Sequence, residues 1–196
     1  MIEHYDEDFL HCSSDNRKIQ LEVNHFSDRS SSTHIHFLEN NITLFQAEIG
    51  ELEIDLTKNI ITEWLIKRIH HNRFLECNQY IVKDEIYDAY VKGEVAMIEY
   101  HWQKVKDSFQ DNRKIIEIIE LCQQSAIIKK FIPFISIGRL CVSNSTVYQP
   151  YNFNCNCINY INNEIEVADY KCKTAKKFNS PKEAIEYLER LESLQY

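Results

Sequence analysis

The stretch that decides the fold is residues 19–49, IQLEVNHFSDRSSSTHIHFLENNITLFQAEI. Apolar and polar side chains alternate over residues 19–24 and again over 33–38, and a third apolar run covers 42–49. Alternation with a period of two is typical of strands that bury one face. The connections are short and rich in Ser and Asn, which favours antiparallel pairing of consecutive strands. We therefore predict an antiparallel meander of three strands.

Downstream of this meander, the apolar side chains change to a helical period. From residue 95 they recur at a 3-4-3-4 spacing: Val95, Ile98, Trp102, Val105 and Phe109. This spacing predicts an amphipathic helix that faces a core. A preceding helix is expected to end near His70, His71 and Asn72, and a following one to end before Pro133, which cannot continue a helix.

The C-terminal third returns to short strands and closes with a helix. Strands are predicted around residues 140–142, 157–161 and 165–170, and Pro181 after Ser180 marks the start of the last helix. Because strands and helices are segregated along the chain, we predict an α+β fold with N-terminal antiparallel strands, central helices, small C-terminal strands and a final helix. We expect one domain over residues 1–196, with residues 1–15 as a loose lead-in.

Composition and charge limit the classes of partner. The chain has 196 residues, of which 44% are hydrophobic, and a formal net charge of −8. An acidic protein repels nucleic acid and anionic lipid headgroups and attracts basic proteins. The sequence contains no long uncharged apolar stretch, which excludes a membrane-spanning helix. Seven cysteines, an odd number, without a secretory signal predict a cytoplasmic protein with reduced thiols.

No catalytic or cofactor motif is present in the sequence. Three isolated glycines cannot form a phosphate-binding loop, so we expect no cofactor, and we favour a protein without catalytic activity. One basic cluster, which includes Lys129 and Lys130, is an alternative site for a small anionic ligand.

Two short pairs are the candidates for a metal site. The pairs His34-x-His36 and Cys155-x-Cys157 each place two ligands on one side of a strand, and two His with two Cys would satisfy the tetrahedral preference of Zn²⁺. The alternative is that the histidines face solvent and the cysteines fill apolar gaps. We assign no metal and keep these four residues as candidates.

Residues 131–151, FIPFISIGRLCVSNSTVYQPY, carry a family resemblance. A helix with a central Trp comes first. It is followed by an aromatic-Pro-aromatic segment, then by a strand that ends in Ser and Thr, and then by an aromatic-Pro pair. The matching positions are Trp102, Phe131, Pro133, Phe134, Ser136, Leu140, Val142, Ser143, Thr146, Tyr148, Pro150, Pro181, Glu183 and Ala184. With these residues the chain resembles a bacterial family of unknown mechanism catalogued under natural-product biosynthesis. Two positions depart from that pattern, Asn144 for an Arg and Val147 for a Gly. The resemblance implies one α+β domain and no particular reaction.

Three functions follow as hypotheses. The leading one is a protein-binding accessory module, with an immunity protein against a basic toxin as its alternative form, because aromatic side chains are suitable interface anchors. These anchors are Tyr148, Tyr151, Phe153 and Tyr160. The other alternative is an enzyme or small-molecule binder that uses the corner at residues 131–151. The pocket of that alternative would be lined by Phe134, Ser136, Ser143, Thr146 and Tyr148.

Overall fold

The computed structural model divides the chain into two compact units, Met1–Val91 and Lys92–Tyr196. Each unit has its own antiparallel sheet. The single-domain assignment stays a prediction. The structure describes residues 2–6, 9–25, 31–50, 54–143, 145, 147, 155–162, 164–170 and 173–193, with only the backbone for 2–6, 25 and 54.

Unit 1 contains a six-stranded antiparallel sheet in sequential order. Its strands are β1 Ile2–Asp6, β2 Phe9–Ser14, β3 Arg17–His25, β4 Ser31–Glu39, β5 Ile42–Ile49 and β6 Val82–Lys83. The predicted meander is confirmed as β3, β4 and β5. In its register Ile19 lies opposite Phe37, which lies opposite Phe45, and all three are fully buried. The alternating apolar residues therefore form the buried face of this sheet.

The N-terminal segment differs from the expected loose lead-in, because β1 and β2 extend the sheet. β2 pairs with β3 along its whole length, and Cys12 lies opposite Ile19 with little exposure. A strand left at the edge has unpaired backbone N–H and C=O groups, and pairing with the preceding segment satisfies them. Sequence composition alone does not reveal this backbone requirement.

The helices of unit 1 pack aromatic side chains on its sheet. They are α1 Ile54–Ile61, a π-helical turn at Thr62–Ile66, α2 His71–Cys77 and α3 Tyr87–Lys92. Trp64 and Phe74 both contact the rings of Phe37 and Phe45. The prediction that a helix ends at the two histidines is wrong, because His70 precedes α2 and its ring accepts a hydrogen bond from the Asn72 backbone N–H.

Unit 2 contains a five-stranded antiparallel sheet in the order β11-β10-β9-β8-β7. Three helices, α4 Glu94–Ser108, α5 Arg113–Gln124 and α6 Pro181–Ser193, accompany it, with a 3₁₀ turn at Ile128–Lys130. The strands are β7 Ile132–Ser136, β8 Arg139–Ser143, β9 Asn156–Ile161, β10 Glu164–Asp169 and β11 Thr174–Phe178. The predicted helices and strands of this region are present, β11 is additional, and the α+β class is confirmed.

One face of the second sheet packs against the helices. Leu140, Ile158 and Val167 lie side by side across three strands, and they join the core formed by apolar residues of α4, α5 and α6. Side chains alternate along a strand, so the neighbours of these residues point to the other face of the sheet. That other face carries the cysteines of the candidate site.

Among the described residues, no helix combines the length and apolar character needed to span a lipid bilayer.

Candidate functional site

The structure describes half of the residues that the sequence predicts as a binding corner. Phe134 is buried against cysteines, and Ser143 is fully buried, with its hydroxyl accepting a hydrogen bond from the Ser145 backbone N–H. Ser136 ends β7 and is half-buried. Tyr160, expected to be an interface anchor, packs against the helical core. The other four residues, Thr146, Tyr148, Tyr151 and Phe153, lie outside the described residues.

The two predicted metal pairs lie in different units. His34 and His36 share one face of β4, as predicted, and line a cleft of about 390 Å³ in unit 1. The Nε2 atom of His34 lies 3.6 Å from a carboxylate oxygen of Glu48. Cys155 and Cys157 belong to unit 2, where they meet a third cysteine instead.

That third cysteine is Cys141 on β8, which completes a cluster of three thiols. The three Sγ atoms all lie within 4.8 Å of one another. The Sγ atoms of Cys141 and Cys157 are 2.6 Å apart, and those of Cys155 and Cys157 are 3.9 Å apart. In the part of the chain that the structure describes, no other three metal-ligating side chains converge in this way.

Strand geometry explains why these three residues converge. Cys141 and Cys157 are directly opposite in the antiparallel pair of β8 and β9, and Cβ atoms in such pairs are about 5 Å apart. Cys155 precedes Cys157 by two positions and so points to the same face. Strand register therefore fixes Cys141 and Cys157, and Cys155 joins them from the residue just before β9.

The surroundings of the cluster are apolar on one side and open on the other. Phe134 lies opposite Cys141 in the register of β7 and β8 and packs against the sulfurs. Cys141 is only 1% exposed and Cys155 is buried, whereas Cys157 is half-buried. A solute can thus reach the cluster through Cys157.

The pKa values of Cys141 and Cys157 shift in opposite directions. Hydrogen bonds donated by the Cys141 and Cys155 thiols hold the pKa of Cys157 well below its ordinary value of 9.0, and the positive charge of Arg139 adds to this effect. Donating to these neighbours raises the pKa of Cys141, and burial raises it further. Cys157 is therefore the more acidic of these two thiols, with a lowered pKa, and Cys141 has a raised pKa.

Three thiols in one place restrict the chemistry that this site can perform. Thiolates are soft ligands that prefer Zn²⁺ and Cu⁺ to Mg²⁺ or Ca²⁺. The pair Cys141 and Cys157 is also close enough to form a disulfide under oxidation. The site can thus bind a soft metal ion or respond to an oxidant, and both reactions involve the same sulfurs.

Unit 1 holds a different cluster, which sequence analysis did not identify. The buried Arg17 donates from Nε to a carboxylate oxygen of Glu39 at 3.1 Å, and His71 Nε2 lies 2.8 Å from the same carboxylate. The Arg17 guanidinium also stacks on Trp64 and donates to the carbonyls of Trp64 and Ile69. These contacts join the sheet to the helical segment, and we assign them a structural role.

Comparison of the chain with family models, curated proteins and solved structures found no match. The fold and the site define the class of the protein: an α+β protein with a buried three-thiol cluster on one sheet face. The resemblance to a natural-product biosynthesis family stays a prediction.

Proposed function

We propose that this protein binds a thiophilic metal ion, Zn²⁺, through Cys141, Cys155 and Cys157. The observation that carries the proposal is the convergence of the three Sγ atoms within 4.8 Å on one sheet face. Two of the ligands are the predicted Cys155 and Cys157. The third, Cys141, replaces the two histidines of the original hypothesis.

The distances are compatible with zinc after a small adjustment. A Zn–S bond of 2.3 Å and tetrahedral angles require sulfurs about 3.8 Å apart. The separation of 3.9 Å between Cys155 and Cys157 meets this requirement. Cys141 and Cys157, at 2.6 Å, must separate by about 1 Å, which a change of side-chain rotamer can supply. Three protein ligands leave a fourth coordination position open.

Cobalt substitution tests this proposal directly. Purified, untagged protein kept in reductant is titrated with Co²⁺ and then with Zn²⁺. We expect sulfur-to-cobalt charge-transfer absorption that saturates at one equivalent and disappears when Zn²⁺ displaces the cobalt. Separate Cys141→Ala, Cys155→Ala and Cys157→Ala variants should each weaken Zn²⁺ binding at least tenfold. Cys77→Ser, which removes an exposed thiol of unit 1, is the matched control and should bind normally.

Thiol counting separates metal binding from disulfide formation. We place the protein in the cytoplasm, where glutathione and thioredoxin keep thiols reduced. In protein purified anaerobically with a chelator, Cys141 and Cys157 should both react with a thiol reagent after denaturation. A disulfide between them under these conditions, or normal metal binding by the three alanine variants, would contradict the metal-binding function.

The distribution of charge supports a second candidate function, binding of a basic partner protein. Unit 1 contains 17 acidic and 8 basic residues, a net charge of −9, whereas unit 2 contains 13 and 14, a net charge of +1. The acidity of the chain therefore lies entirely in unit 1. This distribution supports a partner surface in unit 1 rather than at the aromatic anchors of residues 144–160. An accessory factor of natural-product biosynthesis and an immunity protein are the two forms of this proposal.

Charge reversal within each unit tests this second function. Glu22, Glu76 and Asp88 are exposed in unit 1, and Glu117 and Glu183 are exposed in unit 2. Reversing the first three to Lys should abolish capture of a basic protein from native lysate at low salt. Reversing the two in unit 2 is the control and should leave capture unchanged. Equal loss in both variants, or capture that persists at high salt, would argue against an acidic docking surface.

A further inference from the structure

Unit 2 contains a cleft that is separate from the thiol cluster. Its volume is about 560 Å³, within the range of small-molecule sites. α4 forms one wall, and Gln123 at the end of α5 and the 3₁₀ turn form the rest. The lining residues are Val95, Ile98, Glu99, Trp102, Gln103, Gln123, Lys129 and Lys130.

The wall formed by α4 is an apolar stripe that the core does not cover completely. Val95, Ile98 and Trp102 recur at helical spacing on one side of α4. Trp102 is buried in the core, Ile98 is half-buried, and Val95 is 72% exposed. At 1.5 Å per residue the stripe is about 10 Å long, comparable with an extended medium-chain acyl group.

Two lysines face this stripe without a counter-ion of their own. Among the described residues, neither the Lys129 nor the Lys130 ammonium group makes an ion pair or a side-chain hydrogen bond. Glu99 also lines the cleft, so the three charged side chains leave a net charge of +1. This charge matches a ligand with a single negative charge.

Trp102 provides an independent observation at the same cleft. Its Nε1 is buried and has no hydrogen-bond acceptor among the described residues. Most buried hydrogen-bond donors in native proteins have an acceptor, so an unpaired one calls for an explanation. An acceptor atom carried by a bound ligand would satisfy it.

We propose that the cleft bounded by α4, Gln123 and the Lys129–Lys130 turn binds a small amphipathic monoanion, an acyl chain with one carboxylate. The carboxylate accepts from the Trp102 Nε1–H and pairs with the two lysines, and the acyl chain extends from there along Ile98 and Val95. Gln103 and Gln123 supply further hydrogen-bond donors at the cleft. This inference is independent of the metal-binding function, because the two sites share no residue.

Calorimetric titration with decanoate, below its micelle threshold, tests the inference on the full chain. We expect saturable binding at one equivalent and a change in tryptophan fluorescence that persists in a Trp64→Phe variant. Decanol, with the same chain and no charge, should bind at least tenfold more weakly. The Lys129→Gln/Lys130→Gln double variant should lose that difference, since it removes both ammonium groups.

Two further variants separate specific binding from loss of fold. Val95→Asp changes an exposed position, so the protein should remain folded and yet bind decanoate at least tenfold more weakly. Lys182→Gln, an exposed lysine of α6, is the matched control and should bind as the unmodified protein does. Absence of saturable binding, equal affinity for decanoate and decanol, or full affinity in Val95→Asp would overturn the proposal.

Discussion

The two units bury reactive side chains in opposite ways. In unit 1 the guanidinium of Arg17, the carboxylate of Glu39 and the imidazole of His71 satisfy one another. In unit 2 the buried cluster consists of three thiols, which are weak hydrogen-bond partners, and they contact chiefly one another. Matched charges stabilise a fold, whereas clustered thiols add little until a soft cation arrives. Under the proposed function, this difference distinguishes a structural cluster in unit 1 from a metal-binding site in unit 2.

Removing the Arg17 side chain should cause the largest loss of stability, and it should do so in unit 1. Arg17→Met preserves the apolar contact with Trp64 but leaves the Glu39 carboxylate with only His71 and the Asn16 amide beside it. Breaking a buried ion pair on one side costs about 3 kcal/mol or more. We expect a loss of that size in urea unfolding, monitored by the fluorescence of Trp64, which lies in unit 1.

Arg68→Met is the matched control for that experiment. Arg68 also pairs with a carboxylate, that of Asp15 at 2.7 Å, but both side chains are exposed. Exposed pairs contribute about 1 kcal/mol or less. If the two variants lost the same stability, the buried cluster of unit 1 would have no special structural role.

Acid should weaken unit 1 through Glu39. The hydrogen bond from His71 holds the pKa of Glu39 below its ordinary value of 4.5; burial opposes this effect, and the charge of Arg17 supports it. A carboxyl whose pKa is lower in the folded state stabilises the fold above its unfolded pKa and loses that contribution as the pH falls. The urea concentration at the midpoint of unfolding should therefore decrease as the pH is lowered from about 5 to about 3. The midpoint of the Glu39→Gln variant should decrease less over this pH range. Glu22→Gln, an exposed control, should show the same decrease as the unmodified protein.

The sequence predicted the strands and helices whose apolar residues follow a clear period. β3, β4 and β5 alternate with period two, and α4 follows the helical spacing from residue 95. β1, β2, β6 and β11 were missed because they add to existing sheet edges, where backbone pairing rather than side-chain pattern determines the structure. The start of α2 was missed because His70 caps the helix, and histidine is not a typical capping residue.

Asn156 tests how far hydrogen bonding stabilises unit 2. It is fully buried, donates to a carboxylate oxygen of Glu192 at 2.8 Å and accepts from the Tyr170 backbone N–H at 3.2 Å. Asn156→Leu should cost about 2 kcal/mol, since it leaves a buried carboxylate without one donor. Lys177→Met, which removes an exposed pair with Glu164, should cost less than about 1 kcal/mol. Urea unfolding monitored by Trp102 fluorescence distinguishes the two.

The sequence predicts two of the three cysteines of the candidate site. The spacing of Cys155 and Cys157 predicts two ligands on one side of a strand, and in the structure their Sγ atoms lie 3.9 Å apart, with Cys155 just before β9. Cys141 was not included because its position opposite Cys157 depends on the register between β8 and β9, which the long connection between them does not specify. The histidine pair belongs to the other unit, a division that local patterns cannot reveal.

Replacing one thiol should have the smallest effect on stability when no metal is bound. In the presence of Zn²⁺ the same replacement should have a large effect. Cys157→Ser, at a half-buried position, should change the metal-free stability of unit 2 by less than about 1 kcal/mol. A ligand at one hundred times its dissociation constant stabilises the folded state by about 2.7 kcal/mol. Zn²⁺ at that excess should therefore raise the unfolding midpoint of the unmodified protein and of Cys77→Ser, but not that of Cys157→Ser. An equal shift in all three proteins would mean that the ion binds elsewhere. The thiol cluster of unit 2 would then have no role in metal binding, and it would differ from the charged cluster of unit 1 only in how strongly it stabilises the fold.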